Sequence, residues 1–387
     1  MILVREGDET ICTHPHHEVF STTEARDILH SLLANHPHLN SIASAYRSLS
    51  QGMLSLSRNS DFLITRETKC VYVAQKEYAT VDPSLVDVIG TDGQGGCVGV
   101  VMRNPKSGLI SVAHVDFPKV VDKGLNRMLS SLLMDEESEN EIVDVHIING
   151  HNEAPREESE TRTEGISYEI CVKIIEFLCK STKRFNMKTL HTLNRNTSYD
   201  KQGNSQPMFS GFLVETASGL IFPGWFDNAT ICPDSVVRKA RLNTALFCPA
   251  TWEDDRLLDT YDTRSDKFVI TPCPWDMNFV KSREARQKLP DREIINNSFT
   301  TPVSEKDVSF YATLIRSLYG VLRSVRIMGR PYSERSFDRE CDFFIKHPDW
   351  KETFPAGQPR IFIRGIDGSW TRSYIEHPQI SKRRTAS

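Results

Sequence analysis

The sequence lacks the marks of several protein classes. Its 47 Lys and Arg residues are outnumbered by 51 Asp and Glu residues, so no basic excess is available for a phosphate backbone, and we expect no nucleic-acid partner. No stretch approaches the ~18 consecutive apolar residues of a membrane-spanning helix. The early charges within residues 1–8 do not fit a signal peptide. We therefore expect a protein of the cytoplasm or the nucleus without a membrane partner.

Paired cysteine motifs are also missing. The nine cysteines include no C-x-x-C pair, and an odd number without such spacing disfavours a disulfide framework or a zinc knuckle. Cys12 and the histidines within residues 14–17 hint at metal binding, but no second cluster has ligand spacing. We interpret this segment as an exposed loop and predict no metal site.

The composition is that of a folded domain. Of the 387 residues, 39% are hydrophobic and 25% are charged, which is close to the average for globular proteins and enough for a sizeable core. Helical and β patterns alternate without a repeat, so we predict an α+β protein whose mixed and antiparallel sheets pack with helices. The predicted units are a strand with a helical N-terminal extension over 1–68, the main domain over 69–375 and a disordered tail over 376–387. A split near residue 200 is the alternative.

The spacing of apolar residues predicts the individual elements. Helices are expected at 22–51, divided at Pro37, and at 120–134, 168–181 and 304–324. Strands are expected at 71–73, 78–80, 86–89, 97–103, 109–115, 142–148, 209–214, 220–226 and 268–270, with a last hairpin over 360–370. Turn residues separate the runs 97–103 and 109–115, which is typical of an antiparallel hairpin.

The most informative segment is a glycine-rich turn that ends at Cys97. Gly93, Gly95 and Gly96 allow the backbone to turn tightly and let a substrate approach it closely. Amides left unpaired by such a turn can bind a developing oxyanion. The spacing does not fit a phosphate-binding loop, because Val98 occupies the position of the third glycine and no Gly-Lys-Ser/Thr follows.

A nucleophilic cysteine needs a base, and His114 lies 17 residues after Cys97. If the two runs pair antiparallel, the thiol and the imidazole reach the same end of the hairpin, within about 3 to 4 Å. Thr91 or Asp116 could then orient the imidazole through its second N–H. The alternative is a buried structural cysteine and a histidine that caps a strand. Glu77 lies on an earlier strand, where composition alone favours a solvent-facing side chain.

At these residues the sequence resembles protein N-terminal asparagine amidohydrolase, especially the plant-type members. The ordered blocks that carry the resemblance are residues 71–80, 89–92, Cys97, 111–116, 144–150, 261–275 and the hairpin around Trp370. The bacterial chemotaxis-receptor deamidases are similar in local layout. They have a cysteine, a histidine 17 residues later and a hydroxyl residue six residues before, which fall here on Cys97, His114 and Thr91.

The resemblance implies an α-β-β sandwich-like deamidase fold. It also implies an enzyme that converts the N-terminal asparagine of polypeptides to aspartate with release of ammonia, with the family's nucleophile at Cys97. This step prepares the substrate for arginylation and degradation through the N-degron pathway. Recognition of a free α-ammonium would require a carboxylate, for which Asp116 and Glu77 are the candidates. The implied chemistry requires no metal or cofactor.

The chain departs from the family pattern just before the nucleophile position. Family members usually have an acidic residue and a Thr-Thr pair there, whereas residues 93–96 of this chain are Gly-Gln-Gly-Gly. Two alternatives stay open. One is a cysteine deamidase that acts on another amide, such as glutamine side chains in proteins, and the other is a non-catalytic binding module that keeps the fold.

Overall fold

The structure, a computed structural model, describes residues 1–6, 9–16, 20–34, 36–49, 52–54, 68–133, 141–152, 165–201, 205–226, 232–247, 255–275, 277, 280–281 and 342–373. Within these ranges the strands are β1 (Ile2–Glu6), β2 (Glu9–His14), β3 (Gly52–Leu54), β4 (Cys70–Tyr72), β5 (Glu77–Val81), β6 (Val88–Thr91), β7 (Val98–Arg103), β8 (Ile110–Val115), β9 (Ile142–Ile148), β10 (Arg184–His191), β11 (Thr197–Tyr199), β12 (Ser205–Pro207), β13 (Phe212–Glu215), β14 (Ile221–Phe226), β15 (Leu258–Asp259), β16 (Tyr261–Asp262), β17 (Lys267–Ile270), β18 (Arg360–Arg364) and β19 (Trp370–Ser373). The main helices are α1 (Thr22–Ala34), α2 (Pro37–Ser48), α3 (Val121–Leu132), α4 (Ile166–Lys180) and α5 (Ser235–Phe247).

Three larger sheets organise the part of the chain that the structure describes. The largest has eight strands in the order β15-β5-β8-β7-β9-β10-β1-β2, the second has five in the order β3-β14-β13-β6-β4, and the third has four in the order β16-β17-β18-β19. β1 pairs in parallel with β10 and antiparallel with β2. The N-terminal strands therefore extend the same sheet that holds the hairpin of β7 and β8.

The eight-stranded sheet lies between a layer of helices and the five-stranded sheet. Along β7 successive side chains alternate between the two faces. Val98, Val100 and Met102 join the core that also contains residues of α1, α3 and α4, whereas Val101 joins the core that Phe212 of β13 enters. This order of helices, sheet and sheet confirms the prediction of an α+β fold with an α-β-β sandwich.

Most of the predicted elements are confirmed where the structure describes them. The segment 22–51 forms two helices, and the second begins at Pro37, where the fixed φ of proline suits the first helical turn. The predicted hairpin is formed by β7 and β8. The helix predicted at 304–324 and the tail predicted at 376–387 lie outside the described residues, and the division at residue 68 stays a prediction. Within the described ranges, no helix is long and apolar enough to cross a membrane.

Gly99 on β7 is a point where the two sheets of the sandwich approach each other closely. A Cβ atom added to Gly99 would lie 2.2 Å from Cε1 of Phe212, whose ring is fully buried. Only a residue without a side chain allows the ring to pack there. The lack of a side chain at Gly99 therefore sets how near β13 can come to β7.

We expect Gly99→Ala to lower the free energy of unfolding by about 1 to 3 kcal/mol, because the buried ring of Phe212 must move to admit a methyl group. Phe212→Leu in the same chain should recover part of this loss, since leucine is shorter than phenylalanine. Urea unfolding of the wild type, both single variants and the double variant measures the coupling. Strictly additive effects of the two substitutions would contradict this account of the contact.

Candidate active site

The hairpin of β7 and β8 brings Cys97 and His114 to one end of the eight-stranded sheet. Cys97 immediately precedes β7, and in the register of the hairpin Gly99 lies opposite His114. Residues two apart on a strand, and residues directly opposite across a pair, share one face of a sheet. This register places both side chains on the face that meets the five-stranded sheet. Cys97 is 4% exposed and His114 is 2% exposed, and Cys97 is not part of a disulfide.

Thr91 reaches His114 from the opposing sheet. Its Oγ1 lies 2.8 Å from Nδ1 of His114, and Thr91 is itself fully buried at the end of β6. When Nδ1–H donates to this hydroxyl, the lone pair of the imidazole is on Nε2. Nε2 is buried and has no hydrogen-bond partner among the described residues, so it is not yet bonded to the thiol. Hydrogen bonds of this kind often tighten only when the substrate is in place.

Burial decides the charge of His114. Removal from water lowers the pKa of the imidazole to about 3, so the ring is neutral near pH 7. A neutral imidazole with a free lone pair can accept a proton from a neighbouring thiol when the thiolate that forms stabilises the imidazolium as an ion pair. The arrangement of Thr91, His114 and Cys97 thus has the parts of a nucleophile, a base and a group that orients the base.

Two carbonyl groups of the glycine-rich turn are held by hydrogen bonds to side chains from other segments. Ser167 of α4 donates its hydroxyl to O of Gly96 at 2.9 Å, and Nδ1 of His151 lies 3.1 Å from O of Gly95. The N–H of a trans peptide points opposite to its carbonyl. The N–H groups of Gly96 and Cys97 are therefore directed away from Ser167 and His151. Such N–H groups are the kind of backbone donor that stabilises an oxyanion.

Asp116 follows β8 directly and is buried at the same end of the hairpin. Neither oxygen of its carboxylate has a hydrogen-bond partner of ordinary geometry among the described residues. Burial raises the pKa of Asp116, and the positive charge of Lys76 opposes this rise. Lys76 is fully buried and donates its backbone N–H to O of His114 at 3.1 Å. The site therefore contains a carboxylate that can still accept hydrogen bonds.

Glu77 has a different environment from the one that composition favoured. The expected solvent-facing position is wrong, because Glu77 is 1% exposed. Its Oε2 lies 2.5 Å from Nη2 of Arg238, whose side chain is fully buried, and it also accepts hydrogen bonds from the N–H of Ala74 and the hydroxyl of Thr260. Sequence alone could not show an arginine 161 residues away. The role of Glu77 in substrate binding stays a prediction, and its charge already has a partner.

Sequence reasoning missed several side chains at this junction, namely those of Lys76, Gln94, Asn149, His151 and Ser167. Some lie within the segments that the sequence singled out, but no pattern marked them as site residues, and they come from four separate segments of the chain. The one local signal is Asn149-Gly150 at the end of β9, where both residues have positive φ, a conformation that asparagine and glycine accept readily. Over the described ranges, no group of three or more His, Cys, Asp and Glu side chains is arranged to hold a metal ion.

A nucleophile, a base and an orienting hydroxyl at the junction of two sheets are the parts of a hydrolytic enzyme of the α+β class. The family model for protein N-terminal asparagine amidohydrolase matches residues 63–328 of this chain. A protein of that name from Arabidopsis thaliana is 34% identical over 357 residues, which cover 91% of this chain and 94% of the relative. The chain belongs to the protein N-terminal asparagine amidohydrolase family, which confirms the resemblance seen in the sequence.

The buried neutral state of His114 predicts a loss of stability in acid. The unfolded imidazole has a pKa of 6.5 and the folded one about 3, so below pH 6.5 the unfolded chain binds a proton that the folded chain excludes. Between pH 6.5 and 5 this group alone should lower the free energy of unfolding by about 2 kcal/mol. Urea unfolding at both pH values should show a smaller decrease for His114→Gln than for the wild type. Equal decreases would show that His114 is not neutral through burial.

Proposed function

We propose that this protein deamidates the N-terminal asparagine of polypeptides, with Cys97 as the nucleophile, leaving aspartate and releasing ammonia. One observation carries the proposal for the chemistry. The chain is a member of the amidohydrolase family, and its buried Cys97 lies beside an imidazole that is oriented by Thr91 and has an unpartnered Nε2.

The first half of the reaction forms a thioester. Nε2 of His114 takes the proton of the Cys97 thiol, and the thiolate attacks the carbon of the substrate's side-chain carboxamide. The carbonyl oxygen becomes an oxyanion, which the N–H groups directed away from Ser167 and His151 can stabilise. The imidazolium then gives its proton to the amide nitrogen, the carbon–nitrogen bond breaks, and ammonia leaves.

The second half restores the enzyme. A water molecule gives a proton to Nε2 of His114, and the resulting hydroxide attacks the carbonyl carbon of the thioester. The carbon–sulfur bond breaks, the sulfur regains a proton from the imidazolium, and the side chain of aspartate is released as a carboxylic acid, which loses its proton to solvent to give the carboxylate. Thr91 holds the same ring nitrogen through both halves, so the imidazole can act as base and acid without turning.

Selection of a first residue over an internal asparagine depends on the α-ammonium group of the substrate. Asp116 is the better placed of the two candidate carboxylates, because it follows the end of β8 beside His114, whereas Glu77 is already paired with Arg238. Burial raises the pKa of Asp116 although Lys76 opposes the rise, and a bound α-ammonium would further favour the charged form of this carboxyl group. We assign recognition of the free N-terminus to Asp116.

The family resemblance also supports a place for the product. A polypeptide that begins with aspartate is the substrate of arginylation, so we propose that the reaction feeds the N-degron pathway of protein degradation. We propose the cytoplasm or the nucleus as the compartment, in which the thiol of Cys97 would stay reduced.

Ammonia release from an Asn-first peptide tests the proposed chemistry. The wild type should release ammonia and convert the first residue to aspartate, as seen by mass spectrometry, whereas Cys97→Ala should do neither. A peptide acetylated at its N-terminus should not react, because the ammonium group is absent. Cys171→Ala is a matched control that should keep the activity, since the thiol of Cys171 is buried in the core between the eight-stranded sheet and the helices.

Other outcomes would favour the alternatives. If the wild type under reducing conditions deamidates peptides with glutamine but none that begins with asparagine, the protein is a cysteine deamidase for another amide. If no peptide loses ammonia although Asn-first peptides bind, the chain is a binding module that keeps the fold.

Asp116→Asn should raise KM for Asn-first peptides by about 10- to 100-fold with a small change in kcat, because it removes a charge from substrate binding and not from the chemical step. Steady-state kinetics over a range of peptide concentrations separates the two constants. Glu77→Gln should instead lower the midpoint of urea unfolding, since it leaves Arg238 buried without its charge partner. A lower kcat with an unchanged KM for Asp116→Asn would place Asp116 in the chemistry.

A further inference from the structure

Two buried carboxamide side chains, those of Gln94 and Asn149, form a pair beside the candidate nucleophile. Both residues are fully buried, and Nδ2 of Asn149 donates to Oε1 of Gln94 at 2.6 Å. The other polar atom of each amide, Nε2 of Gln94 and Oδ1 of Asn149, has no hydrogen-bond partner in the described part of the chain. A buried polar group without a partner is unfavourable, and native proteins keep few of them, mainly for function.

The pair lies on the face of the sheet that Cys97 and His114 share. Oε1 of Gln94 is 3.1 Å from the position that a Cβ of Gly99 would occupy, and Gly99 is the register partner of His114. Asn149 follows β9, in which Ile148 is the partner of Gly99 on its other side. The two amides therefore meet at the ends of β7 and β9, next to the end of β8.

The backbone holds both side chains in place. Gln94 donates its N–H to O of Ser210 at 2.8 Å, and Asn149 donates its N–H to O of His191 at 2.9 Å. The positive φ of Asn149, 64°, suits asparagine better than most residues. The anchored main chains fix where the two side chains begin, and the unpartnered amide atoms remain available to a bound molecule.

The chemistry of the unpartnered atoms identifies the group they fit. The pair leaves one amide N–H donor and one amide carbonyl acceptor, and this remains true if the oxygen and nitrogen of both amides are exchanged. A primary carboxamide offers the complement, a carbonyl oxygen and an NH₂ group. A carboxylate offers acceptors alone and would leave the protein's carbonyl facing another oxygen.

We propose that Gln94 and Asn149 read the side-chain carboxamide of the substrate, donating to its oxygen and accepting from its nitrogen. This inference rests on the proposed function and deepens it by assigning the residues that distinguish asparagine from aspartate. When ammonia leaves, the product carboxylate no longer matches the pair, which favours product release. Gln94 lies in the glycine-rich segment that ends at Cys97, so its side chain starts close to the candidate nucleophile along the chain.

The experiment measures discrimination in binding. The full chain carrying Cys97→Ala is titrated by calorimetry with an Asn-first peptide and with the same peptide beginning with aspartate, and the ratio of the two Kd values is recorded. Adding Gln94→Met, which keeps the length of the side chain, or Asn149→Gly, which accepts the positive φ, should reduce the preference for asparagine roughly 10- to 100-fold. The same substitutions in the chain with Cys97 should lower kcat/KM for the Asn-first peptide.

A matched control separates recognition from general loss of stability. Thr80→Val removes a buried hydroxyl pair with Ser111 at 3.0 Å, which lies on the same sheet but away from Cys97. It should lower stability and leave the Kd ratio unchanged. If Gln94→Met does not fold, as judged by circular dichroism, Asn149→Gly tests the same pair from the other strand.

The outcomes distinguish the two proposals. Suppose that the wild type deamidates Asn-first peptides and that both folded variants keep the Kd ratio within about twofold. The proposed function then stands, and the proposal that Gln94 and Asn149 bind the substrate carboxamide is overturned. If the wild type deamidates no Asn-first peptide, the proposed function fails first. A reduced ratio for both variants, with Thr80→Val unchanged, supports the assignment.

Discussion

The packing of Phe212 on Gly99 determines where the two sheets of the sandwich meet, and the candidate site depends on that distance. Phe212 is the cross-strand partner of Thr91 in the five-stranded sheet, and Gly99 is the cross-strand partner of His114 in the eight-stranded sheet. The contact of Phe212 with Gly99 and the hydrogen bond of Thr91 with His114 therefore join the same two cross-strand pairs. A side chain at position 99 would separate Thr91 from His114 as well as crowd the ring. The packing of Phe212 on Gly99 and the orientation of the His114 imidazole therefore depend on the same distance between the two sheets.

The site is one of several places in the described core where buried polar atoms lack a hydrogen-bond partner, as those of Tyr46 and His191 also do. Glu77 and Arg238 are also buried, yet they pair with each other and with neighbouring hydrogen-bond partners, as a stable interior requires. Around Cys97, by contrast, unpartnered polar atoms of four side chains face the same junction: those of Gln94, His114, Asp116 and Asn149. Each lowers stability by about 1 to 3 kcal/mol if left without a partner. The apolar contacts in the cores on the two faces of the eight-stranded sheet offset this loss of stability. A substrate whose polar groups bind these atoms would fit the arrangement.

Sequence patterns predicted many elements of the scaffold and one side of the site, but they did not predict β10 or α5. The alternation in residues 97–103 and 109–115 predicted the hairpin, and the hairpin explains why Cys97 and His114 lie together. Local patterns could not show contacts that depend on tertiary packing. The Arg238 partner of Glu77, the Ser167 hydroxyl on the glycine turn and the Asn149 partner of Gln94 come from distant segments. Periodicity reports which face of an element is apolar, and it contains no information on which buried polar groups meet across layers.

The place of β1 in the eight-stranded sheet has a consequence for the order of folding. The strand β1 pairs with β10, and Phe185, the partner of Ile2, lies about 180 residues further along the chain. During synthesis β1 must therefore wait until β10 has emerged, which takes roughly 10 to 40 seconds at ordinary rates of elongation. Its apolar residues Ile2, Leu3 and Val4, all buried in the finished protein, have no strand partner beyond β2 over that interval. The nascent chain thus exposes an unpaired edge of β1 until β10 has been synthesised and the eight-stranded sheet around Cys97 can form.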